Sequence, residues 1–290
     1  MTDPPDDLEL ALELADLADG LTLARFRAED LVVETKPDLT PVSEADRAVE
    51  QAIRERLATV RPEDSVVGEE YGDSSGSGDS SGSGASSGSG DLSGVADSSA
   101  AGSRRRWIVD PIDGTKSYVR GVPVWATLLA LEQDGVVALG VVSAPALGRR
   151  WWGSPGAGAF VADGLGEGPR RLAVSAVREL ADAQLGFAGL EEWREVGRLE
   201  ALLQLGARCW RTRGYGDFWQ YMLVAEGALE VALDPIVSLW DLAAPMAVVQ
   251  AAGGRFTDLA GEVTAAGGDA IATNGVLHDA ARACVARPAR

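Results

Sequence analysis

One segment limits the possible folds more than any other: a short apolar run that ends in two aspartates and a glycine. Trp107-Ile-Val predicts a buried strand, and Asp110-Pro-Ile-Asp-Gly-Thr115 predicts a turn that begins where the strand ends. The turn would bring Asp113 back towards Asp110. Two carboxylates three residues apart, with the Ile112 carbonyl between them, form an oxygen-rich site of the kind that Mg²⁺ prefers.

The glycine of this turn points to a second ligand. Gly114 lets a ligand approach the backbone closely, and the N–H groups of Gly114 and Thr115 would hold a phosphate if a helix begins there. The alternative is that Asp-Pro and Asp-Gly are ordinary turn formers, as they are in most proteins. The turn taken alone does not decide between these interpretations.

The charge of the chain narrows the class of partner. Its formal net charge is −18, which argues against a nucleic-acid backbone or an anionic membrane, since either would need a basic face. A phosphate ester is also an anion. A phosphate site in this chain would therefore need bound divalent cations, for which clustered carboxylates are suitable ligands.

The sequence also predicts a soluble, cytoplasmic protein. Cys209 and Cys284 lie far apart, outside any metal-ligand spacing, and are expected to be free thiols in a reducing compartment. Asp3, Asp6 and Asp7 stand where a signal peptide would carry Lys or Arg. No apolar run approaches the roughly 20 residues that span a bilayer.

Apolar periodicity predicts two helices near the N-terminus, over residues 8–21 and 45–57, with Ser43 as the N-cap of the second and Asp46 completing a capping box. The repeat DSSGSG, DSSGSG, ASSGSG then dominates residues 73–103, which are expected to form a flexible insert between two pieces of one site. Strands are predicted near 65–68, 126–131, 136–143, 149–152 and 159–161, with Asp134-Gly135 as a hairpin turn, and near 183–187, 208–211, 228–233 and 270–273; helices are predicted near 190–205, 216–227, 241–252 and 275–286.

These elements predict two subdomains. Residues 1–150 are interpreted as an α+β subdomain that carries most of the acidic site residues. Residues 151–290 are interpreted as an α/β subdomain that completes the site.

Three motifs, in order along the chain, resemble the inositol monophosphatase family. Asp110-Pro-Ile-Asp-Gly-Thr115 is similar to the first signature of the family, and Ser238-Leu-Trp-Asp-Leu-Ala-Ala-Pro245, followed by Ala252-Gly-Gly, is similar to the second. Gly68-Glu-Glu70 resembles the metal-binding segment that precedes the first signature. The resemblance covers nearly the whole chain and implies a layered αβαβα sandwich, Mg²⁺ dependence and a homodimer.

The resemblance also implies a set of metal ligands. Glu69, Asp110 and the Ile112 carbonyl would bind a first Mg²⁺, and Asp110, Asp113 and Asp241 a second, so that Asp110 bridges the two ions. A third, weaker ion would use Glu69 and waters, and Mn²⁺ fits the same oxygen ligands. Asp241 would otherwise be an ordinary acid at a helix N-terminus, where the helix dipole favours a carboxylate.

For catalysis, Thr115 and Asp46 resemble the family pair that orients or deprotonates the attacking water. Glu69 would contribute to catalysis through the metal ion that it binds. The ions would lower the pKa of that water and clamp the attacking and leaving oxygens of an in-line displacement. Without the family, Asp46 would be a solvated acid in the first turn of a helix. Glu70 is expected to support the ligands from behind, and the single histidine, His278, to be structural or solvated.

Two further segments resemble the histidinol-phosphatase branch of the family. In the first, Lys116 follows the signature and Arg120-Gly-Val-Pro-Val-Trp-Ala-Thr completes the loop; the second is Arg213-Gly-Tyr-Gly-Asp-Phe-Trp219. The resemblance implies hydrolysis of L-histidinol phosphate to L-histidinol and phosphate, a step of histidine biosynthesis.

This substrate carries an ammonium and an imidazole, so its site should add acids away from the metals. Asp234 would pair with the ammonium and Asp217 with the imidazole. Tyr215 or Trp219 would stack on the ring, although core packing is the alternative for Trp219. Arg213 would support the phosphate or pair with an acid.

Other functions stay open at this stage. An inositol, sugar or nucleotide phosphatase would carry the same metal site. A non-catalytic binding protein on the same fold would be expected to lack a metal ligand, and here every expected ligand is present. The Ser/Gly insert would be an interaction tail or a passive loop, and its lack of aromatic anchors favours the passive loop.

Overall fold

Helices form three layers of the computed structural model, which describes residues 6–36, 40–74 and 105–286. Most begin with an acidic residue in the first turn, which the helix dipole favours. The predicted capping box at the start of the second helix is present, with Ser43 and Asp46 bonded to each other. The helices are α1 (Asp7–Arg25), α2 (Glu44–Val60), α3 (Thr115–Val119), α4 (Leu190–Glu195), α5 (Leu199–Arg208), α6 (Asp217–Ala225), α7 (Leu239–Ala251) and α8 (His278–Val285).

Strands of the described residues form two large sheets and one small pair. The strands are β1 (Val33–Thr35), β2 (Pro41–Ser43), β3 (Ser65–Gly68), β4 (Gly72–Ser74), β5 (Arg105–Asp113), β6 (Ala126–Gln133), β7 (Val136–Ala144), β8 (Arg149–Ser154), β9 (Gly158–Ala162), β10 (Arg170–Arg171), β11 (Gln184–Phe187), β12 (Arg211–Arg213), β13 (Val231–Asp234), β14 (Arg255–Thr257) and β15 (Ala270–Thr273). The larger sheet has the order β10-β9-β8-β7-β6-β5-β3-β4, and the smaller has the order β12-β11-β13-β15-β14. Strands β1 and β2 pair only with each other.

Side-chain alternation along β5 shows how the layers stack. Trp107 and Val109 pack in a cluster with α1 and α2, whereas Ile108 packs in the opposite cluster with α6 and α7. A third cluster joins the smaller sheet to α5 and α8. The layers therefore run helix, sheet, helix, sheet, helix, and the predicted αβαβα sandwich is confirmed.

Helix α7 lies between the two sheets and is apolar on every side. Its buried residues run without a break from Leu242 to Val249. Close packing against β7 depends on Gly140, because a Cβ there would lie 2.9 Å from the Ala244 Cα atom. This packing fixes the first turn of α7, and with it Asp241, beside the end of β5.

The turn after β5 differs from the predicted exit at Asp110. Strand β5 continues to Asp113, with Asp110 opposite Leu128 and Asp113 opposite Ala126, so one extra residue is inserted on β5. In a regular strand, residues three apart point to opposite faces. The bulge removes that opposition and lets both carboxylates face one cluster.

Most predicted elements are present within a few residues, including the Asp134-Gly135 hairpin turn, where both residues have positive φ. The helix predicted over 190–205 is broken into α4 and α5 at Gly197, whose φ of 71° is left-handed. The strand predicted near 208–211 is β12 at 211–213, and β14 was not predicted because it is only three residues long.

The predicted insert begins later than residue 73. Asp73 and Ser74 belong to β4, paired with Val67 and Val66 of β3, because the backbone of polar residues can extend a sheet edge without an apolar side chain. Residues 75–103 of the predicted insert lie outside the described residues.

The larger sheet includes residues up to Arg171, and the smaller sheet begins at Gln184. The chain therefore passes from one sheet to the other after residue 171, and not at the predicted boundary at residue 150. The division into two subdomains stays a prediction. Within the described ranges, no helix is long and apolar enough to cross a membrane.

Candidate active site

The bulge at the end of β5 leads directly into a short helix. Gly114, with φ 82°, is the N-cap of α3, and its carbonyl accepts hydrogen bonds from the N–H groups of Ser117 and Tyr118. A Cβ at Gly114 would lie 3.1 Å from the Val124 carbonyl oxygen, so both conformation and space require glycine here. A helix therefore begins at Thr115, as the phosphate interpretation of this turn requires.

Three carboxylates meet at the bulge. One oxygen from each of Asp110, Asp113 and Asp241 lies within 4.8 Å of the other two. Asp241 is held by the backbone N–H of Ser238, which donates to its Oδ2 atom at 2.8 Å. Asp113 is held by the N–H of Phe218, which donates to its Oδ2 atom at 2.6 Å. Elements far apart in sequence thus direct three acids to one point.

The carboxylates of this cluster lie close enough to repel one another. Burial and the nearby carboxylates of Glu69, Asp113 and Asp241 raise the pKa of Asp110, and burial raises the pKa of Asp241 to about 6. The Oδ1 atom of Asp110 is buried and has no hydrogen-bond partner among the described residues. Converging hard oxygens, mutual repulsion and one unused buried oxygen fit a Mg²⁺ ion.

Glu69 lines the same cleft but lies outside this group of three. Its Oε1 atom accepts from Lys36 Nζ at 2.7 Å, and Glu70 Oε1 accepts from the same ammonium at 2.5 Å. The Glu70 side chain is almost completely buried, behind Glu69. Lys36 thus neutralises part of the charge that Glu69 brings to the cleft.

Helix α2 contributes Asp46 to the opposite side of the turn. Its Oδ2 atom accepts from the backbone N–H and the hydroxyl of Ser43, at 2.8 and 2.5 Å. Its Oδ1 atom accepts from the Thr115 hydroxyl at 3.3 Å, and that hydroxyl also lies 2.9 Å from the Ile112 carbonyl oxygen. Burial raises the pKa of Asp46. Asp46 is therefore not a solvated helix acid.

A cleft of about 250 Å³ opens beside these groups. Its lining includes Glu69, Asp113 and Asp241, and also Glu192, Asp217 and Asp234, with Asp217 close to Asp113. Sequence reasoning missed Glu192, because an acid in the first turn of a helix carries no signal of its own. The remaining lining residues are Thr40, Pro41, Gly114, Thr115, Lys116, Ala188, Gly189, Gly216, Tyr221, Ile236 and Val237.

Asp234 and Asp217 differ in how the structure holds them. Asp234 Oδ2 accepts from the Tyr221 hydroxyl and from Gln220 Nε2, and burial raises its pKa to about 7. Asp217 has a left-handed φ of 49°, unusual for a residue other than glycine, and its pKa is also raised by burial. Backbone strain of this kind tends to occur at functional sites.

Two residues predicted to contact substrate lie outside the lining of the cleft. Arg213 is exposed and donates to the carbonyl of Thr212, and the Tyr215 hydroxyl accepts from Gln184. The rings of Tyr215 and Trp219 meet edge to face beside the core, so Trp219 follows its core-packing alternative. Neither predicted contact is supported by this geometry.

His278 is fully buried and lies between the hydroxyls of Thr257 and Thr273, at 3.0 and 3.1 Å. These contacts give it a structural role. Cys209 and Cys284 are free, as expected.

Comparison with known proteins decides the family. Residues 6–289 match the inositol monophosphatase family. This chain belongs to the inositol monophosphatase family. The histidinol-phosphatase of Mycobacterium tuberculosis is 53% identical over 274 residues, which cover 94% of this chain and 95% of that protein. The histidinol-phosphatase of Streptomyces coelicolor is 50% identical, with 96% of each chain covered.

Solved structures of similar proteins have the same fold as this chain. The extragenic suppressor protein suhB from Bartonella henselae superposes with a TM-score of 0.79 at 26% identity, covering 97% of this chain and 99% of that chain. The layered sandwich is therefore the architecture of this family.

Proposed function

We propose that this chain is a Mg²⁺-dependent histidinol-phosphatase, which hydrolyses L-histidinol phosphate to L-histidinol and phosphate. The cleft carries this proposal because its lining holds further acids beside the proposed metal ligands. Asp110, Asp113 and Asp241 suit the cations that a phosphate needs, and Glu192, Asp217 and Asp234 suit the cationic end of an amino alcohol with an imidazole. Identity above 50% to a histidinol-phosphatase supports the same substrate.

Membership of the family supports the use of a divalent metal, and the finer assignment is part of the proposal. Glu69, Asp110 and the Ile112 carbonyl would hold one Mg²⁺, and Asp110, Asp113 and Asp241 a second. A third ion would use Glu69, and Mn²⁺ would fit the same oxygens. When bound, the ions supply Lewis acidity to the water and the phosphoryl oxygens.

The protein groups then have separate tasks. The N–H groups of Gly114 and Thr115, at the start of α3, bind phosphate oxygens. The Thr115 hydroxyl orients the attacking water and passes a proton to Asp46 Oδ1, 3.3 Å away. Burial, which raises the pKa of Asp46, makes this carboxylate a better proton acceptor than an exposed aspartate.

Among the other acids of the cleft, Asp234 pairs with the substrate ammonium, and Asp217 and Glu192 accept from the imidazole. The pKa of Asp234 is raised to about 7 by burial, so a bound ammonium would stabilise its charged form. Arg213 and Tyr215 lie outside the lining and would act only through the backbone that leads to Asp217.

The alternative within the family is an inositol-1-monophosphatase or a related sugar or nucleotide phosphatase, which would use the same metal site. Lys116 offsets part of the charge of Glu192 and Asp217. A neutral polyol would add no further positive charge beside these buried acids, which favours L-histidinol phosphate as the substrate. A non-catalytic binding protein is a weaker alternative, because all the expected ligands are present.

A direct assay tests the proposal. Purified protein would be tested with Mg²⁺ against L-histidinol phosphate, inositol 1-phosphate, fructose 1,6-bisphosphate and 3′-phosphoadenosine 5′-phosphate. We expect the highest kcat/KM for L-histidinol phosphate, no activity in excess chelator, and recovery on adding Mg²⁺. A preference for any of the other three esters would refute the proposed substrate.

We also propose a cytoplasmic homodimer. Trp210 is 68% exposed beside β12, which is an edge strand of the smaller sheet. An exposed tryptophan at a sheet edge is typical of a protein interface. Sedimentation of Trp210→Ser would show a monomer if this edge joins the two copies, and an unchanged dimer would place the interface elsewhere.

A further inference from the structure

Glu50 is a fully buried carboxylate on α2 whose partners belong to the segment that carries Glu69. Its Oε2 atom accepts from the backbone N–H of Glu70 at 2.7 Å, and its Oε1 atom accepts from the N–H of Tyr71 at 3.2 Å. A buried carboxylate is tolerated only with such partners. Glu50 therefore holds the two amides that immediately follow Glu69.

Arg54, one helical turn later, completes this attachment. Its Nε atom donates to Glu50 Oε1 at 2.8 Å, and its Nη1 atom donates to Ser74 Oγ at 2.7 Å. The same guanidinium donates to the carbonyls of Val66 and Gly72. Glu50 and Arg54 together fasten α2 to both strands of the β3–β4 hairpin.

Gly68 makes this arrangement possible. Its backbone is not left-handed, so conformation does not require glycine at this position. Space does, because a Cβ on residue 68 would overlap the Glu50 carboxylate, with the Oε2 atom only 2.6 Å away. The glycine of the Gly68-Glu-Glu motif thus leaves room for the carboxylate that holds the next residues.

We infer that Glu50 is a positioning residue for the metal site. It fixes the backbone that immediately follows Glu69, so that the Glu69 carboxylate is presented to the cations without further ordering. Arg54 holds β4 through the Gly72 carbonyl and the Ser74 hydroxyl, so the backbone that follows Glu69 is attached to α2 as far as Ser74. This inference rests on the proposed role of Glu69 as a metal ligand.

The same helix also carries Asp46, one turn before Glu50. Asp46 contacts Thr115, and Glu50 contacts the turn beyond Glu69, so one rigid element sets the positions of both sides of the site. Groups that hold a metal ligand in place are typically worth about 10- to 100-fold in metal affinity. Loss of Glu50 should therefore be visible in metal binding itself.

The test compares Glu50→Gln and Gly68→Ala with Glu55→Gln, an exposed glutamate on the same helix. Glutamine keeps the size of Glu50 but cannot accept from both amides and Arg54. In the full-length protein, Mn²⁺ binding would be measured by electron paramagnetic resonance, and amide exchange by mass spectrometry of the peptide over 66–72. We expect Kd for Mn²⁺ to rise about tenfold or more in both test variants, with faster exchange at Glu70 and Tyr71, and neither change in the control.

Wild-type Mn²⁺ affinity in a folded Glu50→Gln variant would overturn the inference, even if exchange at residues 70 and 71 became faster. If Glu50→Gln does not fold, Gly68→Ala decides the question by the same measurement. The proposed function fails separately, if wild-type protein binds Mn²⁺ tightly but hydrolyses none of the four esters.

Discussion

The hydroxyl of Thr115 lies 3.3 Å from the Oδ1 atom of Asp46, although 69 positions separate the two residues in the sequence. Asp46 is fixed by the capping box of α2, and Thr115 is fixed by the first turn of α3. The Asp46 carboxylate caps α2 through Ser43, and the Thr115 hydroxyl is also held by the Ile112 carbonyl oxygen at 2.9 Å. The pair is therefore ordered before any substrate binds.

Removal of this hydroxyl should slow turnover without unfolding the protein. Thr115→Val keeps the shape of the side chain but loses the contacts to Asp46 and to the Ile112 carbonyl. We expect kcat to fall by about 10²- to 10⁴-fold, the usual worth of a positioned proton-transfer group, with little change in KM. Steady-state kinetics check this, with exposed Thr59→Val on α2 as the control; a fully active Thr115→Val would exclude the proposed role.

Asp113→Asn should separate metal binding from folding. The carboxamide oxygen can still accept from the Phe218 N–H, but one negative charge leaves the cluster. We expect activity to fall at least about 100-fold, since even groups that only support a metal ligand are worth roughly 10–100-fold. The metal-free variant should be at least as stable as the metal-free parent, because repulsion is relieved. Urea unfolding with chelator measures this, and an active variant would refute the ligand assignment.

Asp234 should make the metal-free protein less stable at high pH. Burial raises its pKa to about 7, against an ordinary value of 3.8, while hydrogen bonds from Tyr221 and Gln220 partly oppose the rise. The folded protein holds this proton more tightly than the unfolded chain does. The stability that it contributes is thus fully present below pH 4 and is lost as the pH rises through 7.

The size of this loss is on the order of 4 kcal/mol for a shift of about three pKa units. Asp234→Asn should remove that part of the pH dependence between pH 4 and 8, whereas Glu63→Gln, an exposed site, should not. Urea unfolding of chelator-treated protein at several pH values provides the measurement. Equal slopes in Asp234→Asn and the parent would contradict the prediction.

Glu192 should govern the choice of substrate. It lies half-buried in the cleft wall near Asp217, and burial raises its pKa. We expect Glu192→Gln to raise KM for L-histidinol phosphate about tenfold, the usual worth of a charged hydrogen bond, and to leave KM for inositol 1-phosphate unchanged. Its exposed neighbour Glu191, changed to Gln, is the matched control. A parallel rise for both esters would mean that Glu192 acts on the cleft as a whole.

Deletion of residues 75–90 should leave kinetics unchanged. Ser74 is already held by β3 and Arg54, and the deleted repeat consists of Ser and Gly with one Asp and one Ala. Halving a connection changes its closure entropy by only about 0.6 kcal/mol. Kinetics with Mg²⁺ and thermal unfolding check this; loss of activity would show that the repeat acts on the site.

Local chemistry in the sequence was enough to predict much of this molecule. The Ser43–Asp46 capping box and the Asp134-Gly135 hairpin each depend on neighbours within a few residues, and each is present. The layer order followed from the resemblance of three motifs to a family. In both cases, the residues that allow a feature to be recognised in the sequence are the residues that form it.

Other features depend on residues that meet only after folding. Glu192 could not be recognised from the sequence, because its role comes from its nearness to Asp217 and Asp234 in the folded chain. Conversely, Tyr215 and Arg213 share a segment with Asp217, yet they lie outside the lining of the cleft. Neighbours in sequence need not share a face, so a resemblance over a segment cannot decide which side chain meets substrate.

The turn at Asp110–Thr115 shows the same division most clearly. The sequence by itself determined that two carboxylates and a glycine stand at the end of a buried strand, because strand and turn preferences are local. Only the tertiary structure decided that a bulge in β5 points both acids to one side, that α7 adds Asp241, and that Glu50 holds the loop of Glu69. Those positions are set by packing between layers, and packing is a property of the whole chain.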